Sequence, residues 1–172
     1  MRIRRIAGRE DIRTILEVHA RAWRAAYSDI LPDETIEQVV DPAPDPDHVE
    51  DRYSSLWTDR DRVFVAEADG FVRGYANFRW GSPTKPFVGE DEAGLKEIYV
   101  DPSWWGQGLG TALLDRGLDR LPDGLDALKL EALDDNDIGA SFYRARGFTR
   151  TDTRELEIGS ETYPTAIWTK PL

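Results

Sequence analysis

Residues 100–111 read Val100-Asp101-Pro102-Ser103-Trp104-Trp105-Gly106-Gln107-Gly108-Leu109-Gly110-Thr111. A strand over 95–100 precedes this turn, and a helix follows it to about residue 121, where Pro122-Asp123-Gly124 stops it. Glycines between a strand and a helix leave backbone amides uncovered by Cβ atoms, and the helix start adds partial positive charge. Such a turn suits phosphate oxygens. A P-loop needs Lys followed by Ser or Thr after its last glycine; here Thr111-Ala112 follows, so that motif is excluded. A dinucleotide fingerprint, Gly-x-Gly-x-x-Gly, puts Thr111 or Leu113 where the third glycine belongs, although Glu131 stands where a ribose ligand would. A dinucleotide-binding domain therefore stays open as an alternative, and so does a tight connection that binds nothing.

Outward from the turn, the chain divides into short elements. Ile3 and Ile6 mark an Arg-rich edge strand ending near Gly8. Asp11 is the expected N-cap of a helix over 11–27, in which Ile12, Ile15, Leu16, His19, Trp23 and Ala26 recur at helical spacing. A second helix is expected over 31–40. Prolines at 42, 44 and 46 make a loop, and a third helix should cover 48–57. Strands over 63–68 and 71–80 meet at Asp69-Gly70, a hairpin signal because both residues tolerate positive φ. A loop with two prolines and the acidic run Glu90-Asp91-Glu92 leads into the strand before the glycine turn. Beyond the helix lie a strand over 126–133, a helix over 137–146, and strands over 148–158 and 165–169. A hairpin followed by alternating strands and helices is an α+β (mixed α/β) pattern rather than a uniform series of βαβ units.

The composition sets further bounds. A chain of 172 residues suits one compact domain, 1–172, and neither a linker nor an internal repeat divides it. Acidic residues outnumber basic ones by 33 to 22, a net charge of -11 that argues against nucleic acid as a partner. Residues 29–61 hold eleven acidic and two basic side chains, so most of the excess sits in one early segment. Six Trp and 40% hydrophobic residues are enough for a packed core. With no Cys, disulfides, zinc-thiolate sites and thiol nucleophiles are absent from the candidate chemistries. No membrane-length apolar run and no signal-like N-terminus occur, so a soluble, cytoplasmic protein without membrane contact is expected. His19 falls among apolar helix positions and reads as packed, while His48 begins a helix. Asp134-Asp135-Asn136-Asp137 lacks the glycine and glutamate spacing of a calcium loop, and no metal site is expected.

The glycine turn has company downstream: Asn136-x-x-Gly139 and Phe142-Tyr143-x-x-x-Gly147-Phe148. With Val100-x-Pro102 ahead of the glycines, these motifs resemble the Gcn5-related N-acetyltransferase (GNAT) superfamily. Trp23 to Tyr27 and Ile30-Leu31-Pro32 also look like the first helix and following loop of small bacterial members. The family's pyrophosphate motif is Arg or Gln, x, x, Gly, x, Gly or Ala; Gly108 and Gly110 match it, and Trp105 departs from its first position. The resemblance implies an acyl-CoA N-acyltransferase fold, with a mostly antiparallel, twisted central sheet of about six to seven strands flanked by helices.

It also implies acetyl transfer from acetyl-CoA to an amine by direct attack in a ternary complex. By position, the amides of Trp105, Gly106, Gln107, Gly108, Leu109, Gly110 and Thr111 would hold the pyrophosphate. The backbone of Ile98, Tyr99 and Val100 would pair with the pantetheine arm, and the Val100 amide would polarise the thioester carbonyl. Asn136 would lie near the pantetheine, and Tyr143 would give its proton to the leaving thiolate. Glu97 or a water relay would deprotonate the amine. Trp23, Tyr27, Asp29 and Glu97, with Asp33, Glu34 and the 90–92 carboxylates, would favour a small cationic acceptor, as aromatic faces and carboxylates both attract a cation. A solvated, merely solubilising acidic face is the competing reading. A catalytically silent relative that only binds coenzyme A is the other alternative, and a homodimer is an open expectation.

Overall fold

The computed structural model describes residues 1–81 and 84–172, so the portion of the expected two-proline loop at Ser82 and Pro83 lies outside the described residues. The elements are β1 (Arg2–Arg5), α1 (Arg9–Tyr27), α2 (Asp33–Val39), α3 (Pro46–Thr58), β2 (Val63–Ala68), β3 (Phe71–Arg79), β4 (Glu92–Val100), α4 (Leu109–Leu118), β5 (Ala127–Leu133), α5 (Asp137–Ala145), β6 (Thr149–Ile158) and β7 (Glu161–Pro171). The seven strands order as β1-β2-β3-β4-β5-β7-β6. Pairing is antiparallel in β1·β2, β2·β3, β5·β7 and β7·β6 and parallel in β4·β5, so the mixed, mostly antiparallel sheet is as expected. The backbone groups into two compact units interleaved along the chain: Met1–Ala25, Val40–Phe78 and Glu97–Arg120 form the first, and Ala26–Val39, Arg79–Lys96 and Leu121–Leu172 the second.

In the first unit, Ile12, Ile15, Leu16 and Val18 of α1 and Val49 and Leu56 of α3 pack on Val63, Val65, Val72 and Tyr75 of the sheet. Asp11 is not the N-cap expected for α1. The helix begins two residues earlier, and the Asp11 carboxylate instead accepts Ala7 N–H (2.7 Å) and both Arg4 terminal nitrogens (2.6 and 2.8 Å), tying β1 to the helix. Asp45 caps α3 by accepting from His48 N–H at 2.8 Å, which lets Pro46 enter the first turn, where its missing N–H costs nothing. Asp69 (φ 52°) and Gly70 (φ 79°) make the expected hairpin turn. Gly74 allows β3 to approach β4: a Cβ there would lie 2.9 Å from the Tyr99 carbonyl oxygen. Gly117 of α4 lies directly on the Phe78 ring.

In the second unit, Tyr143, Phe148 and Trp168 pack as a cluster of rings with α5 against β7. β4 starts at Glu92, three residues earlier than expected, because Glu92 is fastened there. Its carboxylate accepts Gly89 N–H and Lys129 Nζ, each at 2.8 Å, and its backbone pairs with Ala127 of β5. β7 is longer than the expected 165–169; Pro164 does not break it and lies opposite Glu155 in the ladder, its carbonyl accepting Asp134 N–H.

Candidate functional site

The glycine turn belongs to the first unit. Asp101, 6% exposed, organises the approach to it. Its carboxylate caps the short 3-10 helix Pro102–Trp104 through Ser103 N–H (3.1 Å) and Oγ (2.7 Å) and pairs with Arg21 of α1 (2.9 Å). The Asp101 amide donates to the Arg73 carbonyl at 2.7 Å, joining the turn to β3. Gly106 (φ 75°) and Gly108 (φ 84°) then take left-handed conformations that other residues adopt only with strain, and Gly108 is the N-cap of α4, with no side chain closing the helix start. A Cβ on either glycine would meet nothing within 4 Å, so the space over this cradle is open. The cradle fits a diphosphate: backbone donors, the positive end of a helix and no side chain in the way.

Trp105, where the family pattern has Arg or Gln, is 36% exposed and turns back on its own strand, with Nε1 donating to the Val100 carbonyl at 2.8 Å. Gln107 Nε2 likewise donates to the Ser103 carbonyl. Neither side chain is spread over the cradle as a charged partner, so its donors are backbone amides.

Glu97 heads the second cluster of this unit. Its oxygens accept Arg52 Nη2 (2.6 and 2.8 Å), Asn77 Nδ2 (2.9 Å) and the Tyr75 hydroxyl (3.2 Å). Burial pushes the Glu97 carboxyl pKa up, but the Arg52 charge and the hydrogen bonds from Asn77 and Arg52 outweigh it, and the net shift is downward. Beside this pair, Trp23 Nε1 donates to the Tyr99 hydroxyl at 3.0 Å, and the His19 ring stands edge-on to Tyr99 (4.8 Å between centroids) and Trp23 (5.7 Å). Burial drives the His19 pKa down to about 4, Glu97 opposing and Arg52 reinforcing the shift.

Tyr27, Asp29, Asn136 and Tyr143 lie in the second unit. Tyr143 is buried in its ring cluster, and its hydroxyl makes no hydrogen bond to any described residue. Burial, helped by Tyr27, raises its pKa, so the phenol keeps its proton. Asn136 is the N-cap of α5, with Oδ1 accepting Gly139 N–H (2.9 Å) and Nδ2 donating to the Tyr27 hydroxyl (3.2 Å). Tyr27, expected on the acceptor side, is 6% exposed, and its pKa is pushed up to about 12, chiefly by burial. Asp29 is exposed. The expected group at 90–92 is divided, since Glu92 is bound to Lys129.

Sequence reasoning passed over Arg52 and Asp101. Arg52 was hidden among the carboxylates of 29–61, yet Val49, Arg52, Tyr53 and Leu56 follow at helical spacing, and a cation on an apolar helix face calls for a buried partner. Asn77 inside an apolar strand was the matching signal. Among the described residues, no group of His, Asp and Glu is arranged to hold a metal ion, and no helix is long and apolar enough to cross a membrane.

A strand, a bare glycine cradle at a helix start and the downstream Asn136 and Tyr143 define a class, and the family comparison agrees: residues 15–148 match the Acetyltransferase (GNAT) family, and the chain belongs to it. Among particular relatives, it is 36% identical over 103 residues to a mycothiol acetyltransferase of Sanguibacter keddieii, covering 58% of this chain and 31% of that protein. It is also 36% identical over 89 residues to the N-alpha-acetyltransferase RimI of Mycobacterium tuberculosis, covering 52% of each chain. The chain thus spans about a third of the length of the mycothiol acetyltransferases it matches. Its fold is shared with a ribosomal-protein-alanine N-acetyltransferase of Brucella melitensis (TM-score 0.73, 24% identity, 100% of both chains). It is shared too with the PaiA N-acetyltransferase of Thermoplasma acidophilum in complex with coenzyme A (TM-score 0.71, 22% identity, 99% of this chain and 98% of that one).

Proposed function

We propose that residues 1–172 act as one cytoplasmic N-acetyltransferase domain that moves the acetyl group of acetyl-CoA onto a primary amine of a small cationic acceptor. The observation that carries this reading is the open cradle at Gly106 and Gly108, whose backbone donors suit a diphosphate. When bound, acetyl-CoA supplies a thioester with an electrophilic carbonyl carbon. The amides of residues 105–111 hold its pyrophosphate, and the backbone of Ile98, Tyr99 and Val100 lines the pantetheine arm. The Val100 amide offers an N–H to the carbonyl oxygen as negative charge builds there. Tyr143 keeps a proton on Oη that no described residue accepts, available to the departing sulfur. Asn136 acts through Tyr27, fixing the end of α1 beside the start of α5.

On the acceptor side, Trp23, Tyr99 and Glu97 present aromatic faces and a carboxylate, which together suit an ammonium group. Glu97 is better suited to hold a positive charge than to take a proton, because Arg52, Asn77 and Tyr75 already occupy its oxygens. The acidic excess of residues 29–61 adds long-range attraction for a cation.

One observation favours a second reading. Trp105 stands where the family motif has Arg or Gln and its Nε1 bonds the Val100 carbonyl; a relative that binds coenzyme A without turnover is the reading this departure leaves open. Thermal shifts with acetyl-CoA, coenzyme A and NAD, followed by thiol release with neutral and polycationic amines at low and high salt, separate the cases. Acetyl-CoA and coenzyme A should raise the melting temperature and NAD should not, and thiol release with polycations should fall as salt rises. Stabilisation without thiol release from any amine supports the silent binder. Stabilisation by NAD alone overturns both.

A further inference from the structure

Asp101 is an awkward neighbour for a phosphate cradle. It follows Val100 directly, precedes the first cradle glycine by five positions, and brings a negative charge to a turn suited to a negatively charged ligand. Burial pushes the Asp101 carboxyl pKa up, but the Ser103 hydrogen bonds and Arg21 outweigh it and hold the value below the usual one, so the group is ionised at neutral pH. The carboxylate divides its work between two oxygens. Oδ1 accepts Ser103 N–H and Oγ, which fixes the 102–104 turn, and Oδ2 accepts Arg21 Nε (3.0 Å) and Nη2 (2.9 Å). Arg21 lies on α1, 80 positions earlier, in the same compact unit. Arg73 also adjoins the turn through its carbonyl, but its guanidinium lies over the Phe71 (5.1 Å) and Trp104 (5.4 Å) rings, and its Nε hydrogen-bonds to no described residue. Among the described residues, the ion-pair partner of Asp101 is therefore Arg21.

We propose that Arg21 is a positioning residue for the coenzyme: it cancels the Asp101 charge beside the glycine cradle, so that Asp101 caps the turn without repelling the diphosphate. This rests on the coenzyme-binding part of the reading above and not on turnover. Capping by itself needs no charge, because an amide or hydroxyl oxygen accepts the same N–H. A carboxylate at this place carries a cost for an anion site unless a cation stands on it, and a nearly buried carboxylate left alone is costly to the fold as well. Arg21 meets both needs through the oxygen that the cap leaves free. It acts through Asp101 and is assigned no contact with the coenzyme. The same helix carries Trp23 two positions further on, so the element that bears an aromatic face of the acceptor side also supplies the counter-charge of the coenzyme side. Because the Arg21 side chain is partly exposed, its influence is greatest at low ionic strength and fades as salt screens it.

The test is the dissociation constant of coenzyme A, measured by titration calorimetry at low salt for wild type, Arg21→Gln, Arg21→Lys, Asp101→Asn and the double variant Arg21→Gln with Asp101→Asn. Arg21→Gln should weaken binding about five- to tenfold, and the loss should shrink as salt is added. Arg21→Lys keeps the charge and should stay within about threefold of wild type. The double variant decides between charge and mere tethering. Asn still accepts from Ser103 and needs no counter-charge, so removing both charges should restore most of the affinity, whereas loss of a simple tether would leave the double variant as weak as Arg21→Gln. Asp101→Asn alone, which is readable even if Arg21→Gln folds poorly, should bind coenzyme A at least as tightly as wild type. The proposal is overturned by an Arg21→Gln protein that binds within about twofold of wild type, by an unrestored double variant, or by an Asp101→Asn protein that binds more weakly. A wild type that binds no coenzyme A removes the coenzyme reading and this inference with it; a wild type that binds without releasing thiol to any amine removes turnover alone.

Discussion

Tyr143 and Glu97 show how one residue's surroundings set its chemistry. Tyr143 has a buried ring and an unshared hydroxyl, so the side chain contributes packing through the ring and reactivity through Oη, and the two can be separated. Tyr143→Phe keeps the ring contacts with Phe148 and Trp168 and removes only the hydroxyl. Steady-state kinetics should show kcat reduced about a hundredfold, with the melting temperature unchanged to within a degree or two because no hydrogen bond is lost. Unchanged turnover would remove Tyr143 from the chemistry. Glu97 is the opposite case. Its place on a strand facing away from Ile98 and Val100 was legible from alternation alone, but the guanidinium that occupies it comes from a helix 45 positions earlier. Side-chain periodicity carries no information about which distant element supplies a partner, and for that reason alternation alone left a salt-bridged Glu97 and a basic one equally open.

At the scale of elements, the turns and caps were the most readable features because their causes are local. Asp69-Gly70, the proline at the first turn of α3 and the glycines before α4 each act through the backbone of their own neighbourhood. Errors arose where an element end was set from elsewhere. β4 begins early because Lys129 and the β5 ladder hold Glu92, and α1 begins early because Asp11 is bound to Arg4. α4 also carries a glycine whose reason is entirely tertiary. Ala at an interior helix position ordinarily gains about 1 kcal/mol over Gly. At Gly117, however, the new methyl would run into the Phe78 ring, which is fully buried and has no room to move. The steric cost outweighs the propensity gain, so Gly117→Ala should destabilise the protein by about 1–3 kcal/mol in urea denaturation. A stabilised variant would show that α4 does not sit on Phe78 as described.

For the molecule as a whole, the summed charge and the buried ionisable groups predict its response to acid. His19 titrates near 6.5 when unfolded and near 4 when folded, so between those values the unfolded chain binds a proton that the native protein does not. Stability therefore falls as pH drops through this window, by on the order of 2–3 kcal/mol. The depressed carboxylates Asp11, Glu97 and Asp101 contribute stability that is present at neutral pH and lost only at still lower pH, as each is protonated in the folded state. Urea midpoints measured between about pH 7 and pH 4.5 should decline for the wild type and stay nearly level for His19→Phe; equal slopes would show that His19 is not buried as a neutral ring. The net charge of -11 and its concentration in residues 29–61 needed no structure to read. By itself the sequence determined the mixed strand and helix order, the glycine cradle and the family-like positions of Asn136 and Tyr143, because each depends on backbone conformation or short spacing. Only the tertiary structure decided that Arg52 neutralises Glu97, that Asn136 binds Tyr27, and that His19 stands edge-on to the Trp23 and Tyr99 rings. Those facts depend on which side chains long-range packing places together, and on how burial then weighs a charge against its partners.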